Sequence, residues 1–354
     1  MLNFMFKKKT LEFTITELKS VNNPKSIHGI YPYRGKISAL DADQILKQIP
    51  KGSVVLDPFC GSGTIVYEGL KYGHKTIGTD INPIAVFLAN GKINIPQSLE
   101  EIQVEVKELI KNAKQTSKYE KINENASKHF HEDTIDEIAR IAIFFDSMSD
   151  YVKACFLGSI CLTARGCNHY LWTSSTVGKD INPKKYINFY EKFGQKIKKH
   201  HYPIKNNSCI YNLDARKLSS IIKLDSVDYV FTSPPYFDCL DYTAYYAKII
   251  YNILNFDRDK IRRNLIQTFK EYKEDMQNVF YELHKVCKKG AKIIFVVGDK
   301  KIHGKLINGG EYFNSLSPFK NVKFLERTYT GTSSQVFDKL NKTKRKEQII
   351  IWEK

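Results

Sequence analysis

The chain has 354 residues, 42% of them hydrophobic, so it is long enough for one large domain with an insertion or for two domains. Its 55 lysines and arginines outnumber its 38 aspartates and glutamates, and the resulting net charge of +17 favours a polyanionic partner, although a solubilising surface would look the same. No run approaches 18 apolar residues, which excludes a membrane-spanning helix. The seven cysteines are odd in number and include no C-x-x-C pair, which argues against a disulfide framework and against the usual zinc sites.

Residues 1–25 are predicted to form a loosely attached N-terminal arm. The apolar stretch at 1–6 is too short for a signal peptide, and its lysines follow it instead of preceding it. Together with cysteines that we interpret as reduced thiols, this predicts a cytoplasmic protein. Residues 27–36 alternate aromatic, Pro, Gly and basic residues, which predicts a loop leading into a helix near 38–48.

The most distinctive stretch is DPFCGSGT at residues 57–64. The apolar run at 53–56 predicts a buried strand and the segment at 65–70 a helix, so the stretch is a glycine turn at a helix N-terminus, where backbone N–H groups can receive an anion. Val66 replaces the third glycine of a dinucleotide fingerprint, and a Walker A Gly-Lys-Ser/Thr is absent. The carboxylate of Asp57 suits a ligand with an ammonium or a sulfonium, and S-adenosylmethionine carries both. The alternative is a turn that merely links strand to helix.

A second strand is predicted at 75–80, and it ends at Asp80, 23 residues after Asp57. At this place in a βαβ unit an acidic side chain can accept hydrogen bonds from ribose hydroxyls. Ile81 would then pack on an adenine, and Asn82 would open the next helix. Capping of that helix is the other role open to Asp80.

No convincing strand lies between residues 81 and 207, and charged or apolar periodicity predicts helices at 100–118 and 133–165. Simple crossovers between parallel strands are far shorter, so we predict an inserted helical subdomain at 95–205. A mixture of polar and aromatic side chains within it suits base edges and phosphates, and lysines follow it, although a solvated basic face is the alternative. The nucleic-acid candidates here are Arg165, Asn168, His169, Tyr170 and Trp172.

The remaining strands are predicted by apolar runs, two of them ending in chemically suggestive residues. They lie at 209–214, 226–231 and 291–299, with a terminal antiparallel pair at 322–329 and 348–352, and helices are predicted near 242–254 and 266–288. The strand at 226–231 runs into TSPPY at 232–236, which is either a Pro-rich turn or a functional motif. The loop before the last strand contains Lys344 and Arg345, which suit contacts to a nucleic-acid backbone.

The stretches at 57–64 and 232–236 resemble motif I and motif IV of the S-adenosylmethionine-dependent DNA amino-methyltransferases, of the N4-cytosine or N6-adenine type. The resemblance is strong from motif I to motif IV, weak in the distal strands, and does not cover 95–205. It implies an α/β fold, a doubly wound Rossmann-like sheet of order 3-2-1-4-5-7-6 with the last strand antiparallel. The first and fourth strands are then neighbours at the switch point, so that the two motifs face one another across one crevice.

The resemblance also implies how motif IV acts on an exocyclic amine. Such an amine is a poor nucleophile because its lone pair is delocalised into the ring, and two acceptors aimed at its hydrogens localise that pair. The Ser233 hydroxyl and the Pro234 carbonyl can be these acceptors, held rigid by consecutive prolines, and Tyr236 would stack on the extracted base. The methyl donor is already activated as a sulfonium, so no metal is expected. The predicted catalytic residues are Ser233, Pro234, Pro235 and Tyr236.

For the cofactor, the family pattern places an Asp beside the adenine amino group, a position that Asp214 fits. A motif X loop before motif I would line the methionine end through Tyr31 and Lys36, with a surface turn of packed tyrosines as the alternative. The predicted S-adenosylmethionine site consists of Tyr31, Lys36, Asp57, Pro58, Phe59, Gly61, Gly63, Thr64, Asp80, Ile81, Asp214 and Ala215.

We therefore predict a catalytic domain from 26–94 and 206–354, a recognition subdomain at 95–205 and an arm at 1–25. The predicted activity is site-specific methylation of a flipped base in double-stranded DNA, with a partner restriction endonuclease left open and a nucleoid location in the cytoplasm. Serine at the first motif IV position is usual for cytosine N4, which we put first. Adenine N6, an RNA base N-methyltransferase and a non-catalytic nucleic-acid-binding subunit are the alternatives. Carbon-5 methylation is disfavoured because it needs a nucleophilic Pro-Cys, and the chain has no Pro-Cys dipeptide.

Overall fold

The computed structural model of the chain describes residues 14, 26–33, 35, 37–164, 185–235, 241–244, 246–302, 305–330 and 344–354. None of the helices in these segments combines the length and the apolar character that crossing a bilayer requires. Within the same segments, no three His, Cys, Asp or Glu side chains are grouped so that they could hold a metal ion.

Seven strands of the described chain form one sheet in the order β3-β2-β1-β4-β5-β9-β8. The first five strands in chain order pair in parallel, and β9 lies antiparallel between β5 and β8. A separate hairpin joins β6 to β7. When that hairpin is left out, the order is the predicted 3-2-1-4-5-7-6, and the prediction is confirmed. The strands are β1 (Val54–Asp57), β2 (Lys75–Asp80), β3 (Cys209–Asn212), β4 (Val227–Thr232), β5 (Cys287–Gly298), β6 (Lys300–Ile302), β7 (Lys305–Ile307), β8 (Lys320–Thr330) and β9 (Lys344–Glu353).

Helices cover both faces of the sheet, and this explains why strand β5 carries apolar residues at consecutive positions. Alternate residues of a strand point to opposite faces. Ile293 and Phe295 join a cluster under one layer of helices, whereas Ile294 and Val296 join the cluster under the other. A strand buried on both faces therefore needs apolar residues at every position. The helices over the described chain are α1 (Ala39–Leu46), α2 (Thr64–Lys71), α3 (Pro83–Ile93), α9 (Tyr246–Ile253), α10 (Arg258–Asn264), α11 (Phe269–Val286) and α12 (Gly309–Leu316), with a 3₁₀ turn at Ala215–Ser220.

Between β2 and β3 the described residues form helices and no strand, as predicted. Residues 133–165, predicted to form one or two helices, form two, which are separated by a 3₁₀ turn at Phe145–Ser147. These helices share one apolar cluster with α3 and α9, so they pack directly against the sheet-covering layer. The division at 95–205 into a separate recognition subdomain stays a prediction. The helices are α4 (Leu99–Gln115), α5 (Glu124–Ser127), α6 (Glu132–Ala142), α7 (Asp150–Thr163) and α8 (Phe189–Lys199).

The segment at 26–33 is attached to these inserted helices. The buried ammonium of Lys196, on α8, donates a hydrogen bond of 2.9 Å to the Ile30 carbonyl. At the end of α8, His200 Nδ1 lies 2.9 Å from the Ser26 carbonyl oxygen, which can only accept, so Nδ1 carries the proton. The inserted helices therefore hold the loop that leads towards the carboxyl ends of the strands.

Candidate active site

A cleft opens at the carboxyl ends of β1, β2 and β4, where the strand order reverses and doubly wound folds bind ligands. The empty space at the cleft is about 840 Å³, and this figure includes space that is open to solvent. Residues of motif I and motif IV line it together. The predicted site residues that line it are Asp57, Pro58, Phe59, Gly61, Thr64, Asp80, Ile81, Asp214, Ala215, Ser233 and Pro235.

The glycine turn after β1 needs both of its glycines for steric reasons. Gly61 and Gly63 have φ of +49° and +75°, in the left-handed region that side chains disfavour. A Cβ on Gly63 would also lie 2.9 Å from the Cα of Ala89 on α3. Gly63 thus packs against α3 below the turn and is not among the residues lining the cleft, whereas Gly61 is. This close packing brings the N-terminus of α2 to the edge of the cleft.

Asp57 connects the two motifs. Its side chain is 2% exposed, and Oδ1 accepts hydrogen bonds from the Thr232 hydroxyl at 2.6 Å and from the Phe59 N–H at 3.2 Å. Loss of hydration on burial raises the pKa of this carboxyl to about 7, although both hydrogen bonds act in the opposite direction. The strand that carries motif IV therefore holds the motif I carboxylate in place.

Asp80, at the end of β2, holds the backbone on both sides of the cleft floor. Oδ2 accepts the Gly61 N–H at 2.9 Å and Oδ1 accepts the Asn82 N–H at 2.8 Å. Burial raises the pKa of its carboxyl to about 6. The cap of α3 is supplied by Asn82, whose Oδ1 accepts the Ile84 N–H, so the capping alternative does not describe Asp80. Each carboxylate oxygen has two lone pairs, so the predicted ribose contact stays open.

Asp214 is more heavily engaged than the sequence suggested. Its carboxylate accepts the backbone N–H and the Nε and Nη2 groups of Arg216, at 2.6–3.1 Å. The same guanidinium donates to Asp275 of α11 at 2.6 Å and to the Asn264 carbonyl at 2.9 Å. The predicted contact of Asp214 with an adenine amino group would therefore be made by oxygens that already accept three N–H groups.

Motif IV follows β4 directly into the cleft. Ser233 and Pro235 line it, and the Pro235 carbonyl accepts a hydrogen bond from the hydroxyl of Tyr272, a fully buried residue of α11. Pro234 lies between them and is not among the lining residues. Tyr236 falls outside the described residues. The backbone of the motif is thus fixed by a helix that packs beneath the sheet.

The loop before motif I contributes a different tyrosine from the one predicted. Tyr31, named as a cofactor residue, lies in the apolar cluster of the inserted helices, whereas Tyr33 lines the cleft. The ring of Tyr33 closes over the turn, since a Cβ on Gly61 would lie 3.0 Å from Tyr33 Cε1. Burial raises the pKa of the Tyr33 hydroxyl well above its usual value. Of the two tyrosines in the Tyr-Pro-Tyr alternation, only Tyr33 is among the lining residues, and the cofactor contact of Tyr31 stays a prediction. Lys36 lies outside the described residues.

The aromatic stretch that follows motif IV was expected to face the target, and its Tyr242 lines the cleft. Other lining residues had no sequence signal: Ile37 precedes α1, and Asn264, Leu265 and Ile266 lie where α10 leads into α11. The last three lie beside Arg216, which donates a hydrogen bond of 2.9 Å to the Asn264 carbonyl. A contact of this kind cannot be derived from spacing along the chain.

The predicted DNA-binding residues are described only in part. Arg165, Asn168, His169, Tyr170 and Trp172 fall outside the described residues. Lys344 and Arg345 were predicted in a loop, and this was wrong, because their backbones belong to β9 and pair with Thr330 and Tyr329 of β8. Main-chain pairing extends this hairpin beyond the apolar run from which the strand was predicted.

Residues 35–279 match the profile of a family described as D12 class N6 adenine-specific DNA methyltransferase. The chain belongs to this family. Type II methyltransferase M.MjaII of Methanocaldococcus jannaschii is 35% identical over 77 residues, which are 22% of this chain but only 14% of that protein. Type II methyltransferase M.BsoBI of Geobacillus stearothermophilus is 23% identical over 94% of this chain and 86% of that protein. A solved S-adenosylmethionine-dependent methyltransferase from Methanosarcina mazei has 11% identity and a TM-score of 0.37, over 86% of this chain and 94% of that one.

Membership of this family confirms the predicted class, the S-adenosylmethionine-dependent DNA methyltransferases, and with it the predicted cofactor. It does not support cytosine N4, the target that we put first. Its description favours adenine N6, which the sequence had left as an alternative.

Proposed function

We propose that this chain methylates the N6 amino group of adenine in double-stranded DNA, with S-adenosylmethionine bound in the cleft. The observation that supports this most directly is that Asp57 and Ser233 line one cavity at the switch point of the sheet. The chain is a member of the D12 family, whose description names adenine N6 as the target.

The residues present fit the cofactor. Thr64 Oγ1, at the first residue of α2, is buried and has no hydrogen-bond partner among the described residues, so it is available to an anionic group at the helix N-terminus. The side-chain NH₂ group of Asn82 is also buried, and it too has no hydrogen-bond partner among the described residues. Asp57 would hold the ammonium or sulfonium, and Asp80 the ribose hydroxyls. When bound, the cofactor supplies an electrophilic methyl group.

On the substrate side, the chain's own residues prepare the amine. Ser233 Oγ and the Pro234 carbonyl would accept the two amino hydrogens, which localises the lone pair on nitrogen and stabilises the positive charge that grows there. The hydrogen bond from Tyr272 to the Pro235 carbonyl holds this backbone still, so the acceptors need no reorganisation during the reaction.

The test is methyl transfer to defined substrates followed by nucleoside analysis. Purified protein is incubated with S-adenosylmethionine carrying a tritiated methyl group and either duplex DNA or transfer RNA. We expect label in duplex DNA, and N6-methyladenine after digestion to nucleosides. Label in RNA alone, or none in either substrate from a protein that binds cofactor, would contradict the proposal.

Cytosine N4 is the second candidate, because Ser233 occupies a position where serine is usual for that target. The same digestion distinguishes the two, since N4-methylcytosine and N6-methyladenine separate by chromatography and mass. A restriction-modification setting belongs to the proposal as well, and the type II names of M.MjaII and M.BsoBI support it. The recognition role of residues 95–205 is a further part of the proposal. Sequencing of methylated host DNA would give the recognition site.

Cofactor affinity should depend on pH because the acidic groups of the cleft are buried. The pKa of Asp57 is about 7 in the free protein, and a bound ammonium favours the ionised carboxylate. The affinity for S-adenosylhomocysteine should therefore be constant above pH 7.5 and fall by up to about tenfold per unit below pH 7. Asp80, with a pKa of about 6, adds a further loss below pH 6.

Isothermal titration calorimetry between pH 5.5 and 8.5 measures this profile. The Asp57→Asn variant should bind more weakly at pH 8 and should lack the break near pH 7. A variant profile that still breaks near pH 7, or an affinity that rises towards acid, would show that Asp57 does not face the cationic group.

A further inference from the structure

A connected line of buried polar side chains runs from the surface of α2 to the floor of the cleft. Glu68 binds Lys71 through both carboxylate oxygens, at 2.8 and 2.7 Å, and lies 2.7 Å from His28 Nε2. His28 Nδ1 lies 3.3 Å from Lys92 Nζ, and the same ammonium lies 3.2 Å from Ser62 Oγ. Lys92 is 1% exposed, whereas the Lys71 side chain at the other end is 45% exposed.

The hydrogen-bond partners determine which group donates and which accepts at each contact. Glu68 can only accept as a carboxylate, so His28 donates from Nε2, and its Nδ1 presents a lone pair. That lone pair accepts a hydrogen from the Lys92 ammonium, which donates a second hydrogen to Ser62. The geometry therefore suits a neutral His28 between a carboxylate and an ammonium.

The Lys92 ammonium is the part of this line that lies at the cleft. It contacts Ser62, which lines the cleft and precedes the N-terminus of α2 by two residues. Glu68 and its ion-pair partner Lys71 lie at the other end of the line, beyond His28. A positive charge next to the turn acts on a bound anion more strongly than charges further along the line.

The cleft is therefore polarised. Asp57 and Asp80 place carboxylates at the ends of β1 and β2, whereas Ser62, Thr64 and the α2 N-terminus form a side that attracts anions. Thr64 Oγ1 is buried there without a partner among the described residues. A zwitterionic ligand matches this arrangement, with its cation at the aspartates and its carboxylate at the turn.

We propose that Lys92 is a positioning residue for the carboxylate of the cofactor's methionine moiety. It acts by holding the Ser62 side of the turn and by placing a positive charge behind it. This inference rests on the proposed function, because it takes S-adenosylmethionine as the ligand of the cleft.

The test compares two ligands that differ only in that carboxylate. Calorimetry gives the affinities of the wild-type protein for S-adenosylmethionine and for its decarboxylated form, which keeps the ammonium and the sulfonium. We expect Lys92→Met to reduce the ratio of the two affinities by about tenfold or more, with little change for the decarboxylated ligand. Lys71→Met, the same substitution at the exposed end of the line, is the matched control and should leave the ratio within about twofold.

Equal losses for both ligands would leave the ratio unchanged and would overturn the proposal, because they would indicate a purely structural lysine. Two affinities that both stay at their wild-type values would overturn it as well. Lys92→Gln keeps a donor for Ser62 while removing the charge, and it gives the same readout if the methionine variant fails to fold. A wild-type protein that binds neither ligand would instead contradict the proposed function, so the two failures are distinguishable.

Discussion

Replacing Ser233 by alanine should lower kcat for methyl transfer by about 10²–10³-fold, while the affinity for S-adenosylmethionine stays within about twofold of wild type. Ser233 is the first residue after β4 and lines the cleft beside Asp57. An acceptor aimed at the amine gains strength as positive charge grows on nitrogen, so its loss affects the transition state more than the bound ground state. Single-turnover rates with saturating cofactor and DNA measure the effect.

The matched control is Ser226→Ala, just before the opposite end of the same strand. Ser226 is partly exposed, and its hydroxyl donates to the Lys223 carbonyl at 2.6 Å, far along β4 from the cleft. This variant should retain wild-type kcat. A Ser233→Ala protein with undiminished single-turnover rate would remove Ser233 from the chemistry and leave the Pro234 carbonyl as the acceptor to examine.

The sheet and the polar residues at the ends of its strands could be predicted because short continuous segments of the sequence determine both. Parallel strands buried on both faces are continuous apolar runs, and β5 is one of them. Asp57 and Asp80 are the last residues of β1 and β2, and Ser233 follows β4 directly. Since the carboxyl ends of parallel strands meet at one edge, finding the strands was enough to bring these residues together.

The residues that the sequence did not reveal depend on packing between distant segments. Tyr33 rather than Tyr31 faces the cleft because Ile30 is held by Lys196 of α8, and this fixes the loop with Tyr31 turned into the helical cluster. The wall at Asn264 depends on Arg216 in the same way. In both cases a cationic side chain donates to a backbone carbonyl more than 45 positions away along the chain.

The attachment of the loop at 26–33 to α7 predicts a long-range effect of Gly158→Ala. A Cβ at Gly158 would lie 1.9 Å from the Ile30 carbonyl oxygen, a backbone atom that cannot rotate away. The loop must move, so the Lys196–Ile30 hydrogen bond is lost and Tyr33 leaves the turn at Gly61. Overpacking and a lost charged hydrogen bond, less the helix propensity that alanine adds, should lower the free energy of unfolding by about 3 kcal/mol. Loss of the Tyr33 contact should weaken S-adenosylhomocysteine binding by about tenfold.

Gly194→Ala separates this contact from the general effect of alanine in a helix. Gly194 lies inside α8, and nothing comes within 4 Å of a Cβ built there, so alanine should stabilise the protein by about 0.5–1 kcal/mol and leave cofactor affinity unchanged. Urea unfolding and calorimetry on both variants measure the two quantities. If Gly158→Ala destabilised the protein but bound cofactor normally, then Tyr33 would reach its place without the anchor on α7, and the inserted helices would have no part in shaping the cleft. If the free energy of unfolding and the cofactor affinity both fall in Gly158→Ala alone, then the helices that we propose to read DNA also shape the wall of the cofactor site. DNA that shifts α7 would then change cofactor affinity through one backbone contact.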